Sequence, residues 1–195
     1  LQTINHIYHN IPGWFTFPGL YKQIVDIASN ESYFVEVGAF MGRSTSYMAV
    51  EIINSGKKIK FDVVDTWEGS IEHELKTKEE HEWLYNSFLR NIEPVKHVIN
   101  PIRMISVEAS KLYTDNTLDF VFIDAGHEYE DVKNDLYAWY PKIKTGGIIA
   151  GHDYFDPSDP EHGHKFPGVK KAVDEFFTTG VMSSNTEYCW FKTKT

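Results

Sequence analysis

A strand that runs directly into a glycine turn and then a helix constrains this chain more than any other stretch. In YFVEVGAFMGRSTS, Tyr33 to Ser46, the apolar residues Tyr33, Phe34, Val35 and Val37 have the length and β-branched character of a buried strand. The run stops at Gly38, Gly42 follows four residues later, and Arg43, Ser44, Thr45 and Ser46 lead into an amphipathic run from Tyr47 to Ile53. Strand, glycine turn and helix in that order can make a binding site. Glycine lets the backbone close around a ligand, and the free amides at a helix start hold a carboxylate or phosphate.

The spacing separates the ligands. A dinucleotide fingerprint needs Gly-x-Gly-x-x-Gly, and Phe40 stands where its second glycine belongs. A phosphate-binding loop is excluded by the lack of Gly-Lys-Ser/Thr. What remains is Glu36-x-Gly38-x-x-x-Gly42, an acidic residue at the strand end with two glycines four apart, which suits a ligand carrying an ammonium and a carboxylate. The plain alternative is a strand-to-helix turn of any α/β protein.

The rest of the chain repeats the alternation. Ile4 to Gly19, rich in aromatics, proline and glycine, reads as an irregular arm, and Leu20, Ile24, Ile27 and Ala28 place a helix that ends near Asn30. Further strands are expected at Ile59 to Val64 with its end at Asp65, Ile102 to Ser106, Leu118 to Ile123 ending in Asp124, and Ile148 to Gly151 ending in His152-Asp153. Glu187 to Thr193 reads as a last strand, paired as a hairpin with Val181 to Ser183. Helical stripes are carried by Tyr85, Phe88, Leu89 and Ile92, by Val132, Leu136, Trp139 and Tyr140, and by Val169, Ala172, Val173, Phe176 and Phe177.

This order predicts one α/β domain over residues 1–195: a Rossmann-like, doubly wound sheet, mostly parallel, with an antiparallel carboxyl-terminal edge strand. Glu36, Asp124 and Asp153 then fall on one sheet edge, where open α/β sheets bind ligands. Asp65, 27 positions after Gly38, is placed for the vicinal hydroxyls of a ribose. Segments 67–79 and 154–167 are candidate acceptor loops, although a solvated loop is the plain reading of each.

Composition narrows the classes. A length of 195 residues fits one domain with a substantial core. A net charge of −9, with no cluster of Lys and Arg, argues against a nucleic-acid partner. No apolar run reaches membrane-spanning length, and the single cysteine, Cys189, leaves no internal disulfide and fits a reducing compartment, so a cytoplasmic address is expected.

The glycine loop together with TLDFVFIDAGHEYEDVKNDLYAWYPKIKTGGIIAGHDY resembles the class I S-adenosylmethionine-dependent methyltransferases. Within them it is similar to the O-methyltransferase branches around catechol O-methyltransferase and the sugar- and antibiotic-modifying enzymes, from about Pro12 to about Phe177. The resemblance implies that Gly38, Ala39, Phe40, Gly42 and Ser44 hold the methionine end of S-adenosylmethionine, with Glu36 near its ammonium. It assigns Asp65 to the ribose, Ser106 to the adenine and Asp124 to the neighbourhood of the sulfonium. Asp124 and Asp153 would be ligands of Mg²⁺, which orients an acceptor hydroxyl and lowers its pKa.

His127 stands where the catechol enzymes carry a general-base lysine, and an imidazole of ordinary pKa suits that task. Two departures stand out: Tyr154 replaces the third ligand, an Asn, and His152 offers a substitute ligand or base. The implied reaction is methyl transfer to an oxygen of a small molecule, a sugar or hydroxylated metabolite. Two rivals stay open: a metal-dependent hydrolase built from Asp124, His127, His152 and Asp153, and a silent methyltransferase-like binding module.

His162 and His164, in a loop with Asp156, Asp159 and Glu161, read as solvated polar residues. Trp14, Phe15, Trp67 and Trp83 read as core aromatics or as lining for an acceptor pocket. The arm could cover its own pocket or a neighbour's, so a homo-oligomer is compatible with the sequence.

Overall fold

Apolar runs bounded by glycine and polar turns become the strands of one sheet in the computed structural model, which describes residues 3–69 and 75–195. The strands are β1 (Tyr33–Val37), β2 (Lys60–Asp65), β3 (Asn100–Arg103), β4 (Leu118–Ile123), β5 (Ile143–Gly151), β6 (Met182–Ser184) and β7 (Cys189–Thr193), in the order β3-β2-β1-β4-β5-β7-β6. Strands β1 to β5 pair in parallel, and β7 runs antiparallel to both β5 and β6. This is the Rossmann-like sheet expected from the alternation, closed by an antiparallel hairpin.

Side chains alternate across the sheet because the strand period is two. Phe34, Phe61, Val63, Phe120 and Phe122 face a core shared with α1 (Pro18–Ile27), α2 (Arg43–Ser55) and α3 (Lys78–Ile92). Val35, Val37, Val64, Val121 and Ile123 face a second core that includes residues of α4 (Ser106–Ser110), α5 (Tyr129–Trp139) and α6 (Pro167–Phe176). Both faces are covered, and the central strands are correspondingly apolar on both sides.

Several boundaries differ from the sequence reading, each for a local reason. Strand β5 begins at Ile143, five residues earlier, and takes Gly146-Gly147 into its length as an irregularity, with Gly146 at φ +82 and a register shift opposite Leu118 and Phe120. Strand β3 stops at Arg103, so Ser106 opens a helix instead of ending a strand. Helix α3 reaches back to Lys78 because Thr77 and Glu80 form a reciprocal capping box, and its buried stripe is Leu84, Phe88 and Ile92.

Of the expected acceptor loop 67–79, residues 70–74 lie outside the described residues. Trp67 is a core residue packed on Phe88, and Lys78 and Glu79 belong to α3. The arm is irregular apart from a 3₁₀ turn at Tyr8–Asn10, and Pro18 at its end starts α1. It lies along α2 of its own chain: the Ile4 amide donates to Asn54, His6 stacks on Tyr47, and Arg43 donates to the Gly13 carbonyl at 2.9 Å. Among the described residues no helix is long and apolar enough to cross a membrane.

Candidate functional site

From the central pair β1 and β4 the chain departs to opposite sides, towards β2 and towards β5, and a crevice opens at the carboxyl ends of such a pair. The two strand ends are tied together. The Gly38 amide donates to Val64 O at 2.9 Å and the Asp124 amide donates to Val37 O at 2.7 Å. Gly38 sits at φ +91, and a Cβ there would overlap the carbonyl oxygen of Asp124. The close approach of these two loops therefore requires glycine. Gly42, at φ +86, caps α2, where a side chain would press on Phe88 and Ile92 at 3.0 Å.

Between the glycines, Phe40 adopts φ +47, an uncommon conformation for an aromatic residue. Asp65 holds this conformation. Its carboxylate accepts from the amides of Ala39 (2.8 Å), Phe40 (3.0 Å) and Trp67 (2.7 Å), while Trp67 Nε1 donates to Phe40 O. Asp65 thus reaches the expected edge, but it staples the glycine loop to the end of β2, which takes three of its roughly four acceptor positions.

Glu36 needs correction. It does not end its strand, and period-two alternation turns it away from Val35 and Val37 into the α1–α2 core, where it is 1% exposed. Tyr21 donates to one carboxylate oxygen at 2.8 Å and Thr45 donates to the other in a short hydrogen bond. Burial pushes its pKa up to about 7, against the hydrogen bonds of Thr45, Ser44 and Tyr21 that favour the ionised form. Glu36 in β1 and Ser44 in the first turn of α2 are thus both buried.

Ser106 is likewise turned inward. Its hydroxyl donates to Asp135 in a short hydrogen bond and accepts from Trp139 Nε1 at 2.9 Å, both on α5. Asp135 itself is buried, which lifts its pKa to about 7. Its one proton is thereby committed to Asp135, which leaves the Ser106 oxygen only a lone pair to offer an adenine.

The remaining expected residues do converge. His127 Nε2 lies 2.9 Å from Asp153 Oδ2 and 3.6 Å from Asp124 Oδ1, while His152 Nδ1 lies 3.2 Å from Asp153 Oδ1 and 3.8 Å from Asp124 Oδ1. Gly151 makes this packing possible, since a Cβ there would meet Ile123 O at 2.6 Å and Trp190 Nε1 at 2.7 Å. Asp153, two residues past the strand, is held at φ +58, so strained backbone collects where the carboxylates meet. Phe166, also at positive φ, stacks on the His127 ring at 4.3 Å.

Burial opposes charge on His127, but the hydrogen bonds and negative charges of Asp124 and Asp153 outweigh it and pull its pKa up to about 11. The two carboxylates thus favour the imidazolium form of His127 over the ready base that an ordinary histidine would be. Asp153 is correspondingly held below the usual carboxylate range: burial disfavours its charge, and the two histidines more than compensate. His152 is raised as well, Asp153 and Asp124 overcoming the effect of burial.

Asp124, His152 and Asp153 place one potential ligand atom each within 4.8 Å of one another. Two carboxylates and an imidazole nitrogen form a donor set that a divalent cation can use. Tyr154, in the expected third-ligand position, is turned away, its hydroxyl donating to Asp174 at 2.5 Å and accepting from Lys170 at 3.0 Å. His162 stacks on Phe155 and packs beside Tyr188, and His164 is exposed. Trp14, 75% exposed, stands beside Phe40 at the crevice mouth.

A small cavity of about 10 Å³ is lined by Asp124, His127 and His152 together with Val132, Val169 and Trp190. A larger cavity of about 360 Å³ lies between α1 and the β6–β7 hairpin, lined by Gln23, Ser184, Glu187 and Phe191. It lacks the convergent carboxylates and imidazoles, so chemistry points to the smaller one. Residues that the sequence reading missed are Tyr21, Thr45 and Asp135 beneath the crevice and Thr16 and Phe166 at its wall. Thr45 lies within the glycine-loop stretch itself; the others carry no motif, and only the fold brings them there.

Comparison with known proteins agrees with this geometry. Residues 35–154 match the family model described as a methyltransferase domain, a span from the middle of β1 to just past Asp153. The uncharacterized proteins y4gI of Sinorhizobium fredii and R132 of Acanthamoeba polyphaga mimivirus are each 27% identical, over 119 and 123 residues. These alignments cover 61% and 63% of this chain but only 13% and 52% of those proteins, so the chain spans about half of one relative and a small part of the other.

Among solved structures, the O-methyltransferase NovP superposes with a TM-score of 0.66 at 16% identity, over 91% of this chain and 79% of that one. CalS11, a TDP-rhamnose 3'-O-methyltransferase, superposes with a TM-score of 0.58 at 15% identity, over 90% and 76%. At these identities the superpositions speak to the fold, and the family match covers more than half of the chain. The chain belongs to the methyltransferase domain family.

Proposed function

We propose that this protein transfers a methyl group from S-adenosylmethionine to an oxygen of a small molecule, such as a sugar or another hydroxylated metabolite. One observation carries the reading. At the β1/β4 switch point, the glycine loop with its Asp65 staple and the Asp124–Asp153 pair with its two histidines stand side by side, held in contact through Gly38 and Asp124. A glycine loop alone is a turn, and a carboxylate pair alone is an ion cluster. Together they fit a ligand with a cationic centre next to a hydroxyl acceptor. The O-methyltransferase descriptions of NovP and CalS11 support oxygen as the acceptor atom and, for CalS11, a sugar.

The bound donor supplies a methyl group on a sulfonium. The chain supplies position: Ala39 and Phe40, fixed by Asp65, define the loop wall, and Asp124 faces the cationic centre from the opposite strand. Aligning two reactants this way removes most of the entropic barrier to an in-line transfer. The acceptor hydroxyl must lose a proton, and His127 can take it once it has released its own to solvent, which a second positive charge facing Asp124 favours because that carboxylate then holds the imidazolium proton less tightly. Phe166 stacks on the His127 ring and fixes its plane.

Asp124, Asp153 and His152 Nδ1 are the residues that would hold a divalent cation such as Mg²⁺, which would orient the acceptor hydroxyl and lower its pKa. A hydrolase built from the same four residues would leave the glycine loop and its Asp65 staple without a purpose.

Calorimetric titration with S-adenosylhomocysteine tests the proposal. Binding with a Kd on the order of 10 µM is expected, lost on Asp65→Ala because the loop wall opens. No measurable binding by the wild-type chain would refute it, and binding without methyl transfer to any hydroxylated acceptor would favour a silent binding module.

A further inference from the structure

The cavity of about 360 Å³ between α1 and the β6–β7 hairpin has no role in the reaction above, yet it has the size of a small-molecule site, for which about 300–1,000 Å³ is usual. It lies on the other face of the sheet from the small cavity beside Asp124. Cys189 lines the larger one and belongs to the core shared with α1 and α2, whereas Trp190 lines the smaller one and belongs to the core shared with α5 and α6. Consecutive residues of a strand point to opposite faces, so the sheet separates the two spaces.

Glu187 is the one acidic residue in the lining, and no lysine, arginine or histidine lines the cavity with it. Its carboxylate is fixed in place. Oε1 accepts from the Gly19 amide at 2.7 Å, and a Cβ on residue 19 would lie 2.7 Å from the same oxygen, so glycine at the start of α1 is what lets the carboxylate come this close. One amide leaves most of the roughly four acceptor positions of a carboxylate open. Among the described residues no cation pairs with Glu187. The Gln23 carboxamide has no hydrogen-bond partner among the described residues either, and Ser184 adds a hydroxyl. Leu20 and Phe191 supply apolar surface.

This lining discriminates by charge. An anion would meet Glu187 with no counter-charge to offset it, and a neutral molecule would forgo the ion pair. A primary ammonium brings three N–H donors to the carboxylate, carboxamide and hydroxyl, its charge is favoured near an aromatic ring, and an apolar body attached to it can lie on Leu20 and Phe191. We propose that this cavity is a second binding site, which takes a small organic cation, a primary ammonium on a compact apolar body, with Glu187 as its counter-ion. The site does not depend on the proposed reaction, but the two share a residue: the Glu187 carbonyl accepts from the Thr16 hydroxyl at 3.0 Å, and Thr16 stands 2.7 Å from His152 at the crevice wall.

The test is ¹H–¹⁵N correlation spectroscopy of the full chain, uniformly labelled with ¹⁵N, at neutral pH. It is titrated with cyclohexylamine, an ammonium ion under those conditions, and separately with cyclohexanol. Cyclohexylamine is expected to saturate with a Kd on the order of 1 mM and to shift the amides of Gly19, Leu20, Gln23 and Glu187, with cyclohexanol at least tenfold weaker. Glu187→Gln keeps an acceptor for the Gly19 amide but removes the charge, and should weaken cyclohexylamine binding at least tenfold. Gln23→Lys, at an exposed position of α1, supplies an ammonium from the chain itself and should abolish binding. The absence of saturable shifts at these amides in the wild type at about 20 mM cyclohexylamine would overturn the proposal. So would equal affinity for cyclohexanol, or unchanged affinity in either folded variant. Because no S-adenosylhomocysteine enters the titration, failure of the proposed reaction leaves this result standing.

Discussion

Glu36→Gln isolates the cost of keeping a carboxylate under the glycine loop. The wild-type group has a folded-state pKa of about 7 against an ordinary value of 4.5, because it is buried. The folded state therefore binds the proton more tightly than the unfolded state does. Between these two values the folded chain carries more protons, so the contribution of Glu36 to stability is greatest below pH 4.5 and is lost as pH rises to about 7. Integrated between pH 5 and pH 8, the difference is about 2–3 kcal/mol.

Glutamine fills the same space and offers both an acceptor and a donor to the hydroxyls of Tyr21 and Thr45, which can rotate to suit. It does not titrate. Urea unfolding of both proteins at pH 5 and pH 8 should show the variant gaining about 2–3 kcal/mol relative to wild type over that interval, with contributions of other groups cancelling in the double difference. Parallel pH dependences would refute the reasoning, since they would mean that Glu36 ionises in the folded chain at its ordinary pH.

Two further outcomes follow from the crevice. Gly38→Ala introduces a side chain at φ +91 against the Asp124 carbonyl and should lower stability by about 2–4 kcal/mol and abolish binding of S-adenosylhomocysteine, read by urea unfolding and calorimetry; unchanged binding would mean that the β1 and β4 loops need not touch. Asp124→Asn removes one of the two negative charges that hold the His127 proton, so the His127 pKa should fall below its wild-type value of about 11, measured by NMR titration of the imidazole; a wild-type His127 that titrates near neutrality would remove the basis for this prediction.

The sequence by itself determined the layer order and the loop that matters. Apolar runs at Tyr33–Val37 and Leu118–Ile123 can be buried only between covered faces, and glycines at positions 38 and 42 announce a turn that closes tightly, so period and spacing were enough. The same local information placed Asp124, His127, His152 and Asp153 on one edge, because the end of a strand is a property of neighbouring residues. What only the tertiary structure decided is where side chains point and what they meet there. Glu36 is one residue short of its strand end, and that single step of the pleat sends it into the core. Asp65 turned back to the loop amides, Ser106 was claimed by α5, and His127 has its protonated form favoured by the carboxylates of nearby Asp124 and of Asp153 from the next strand end. Protonation and hydrogen-bond partnership depend on distances of a few ångströms across such contacts, which periodicity along the chain does not encode.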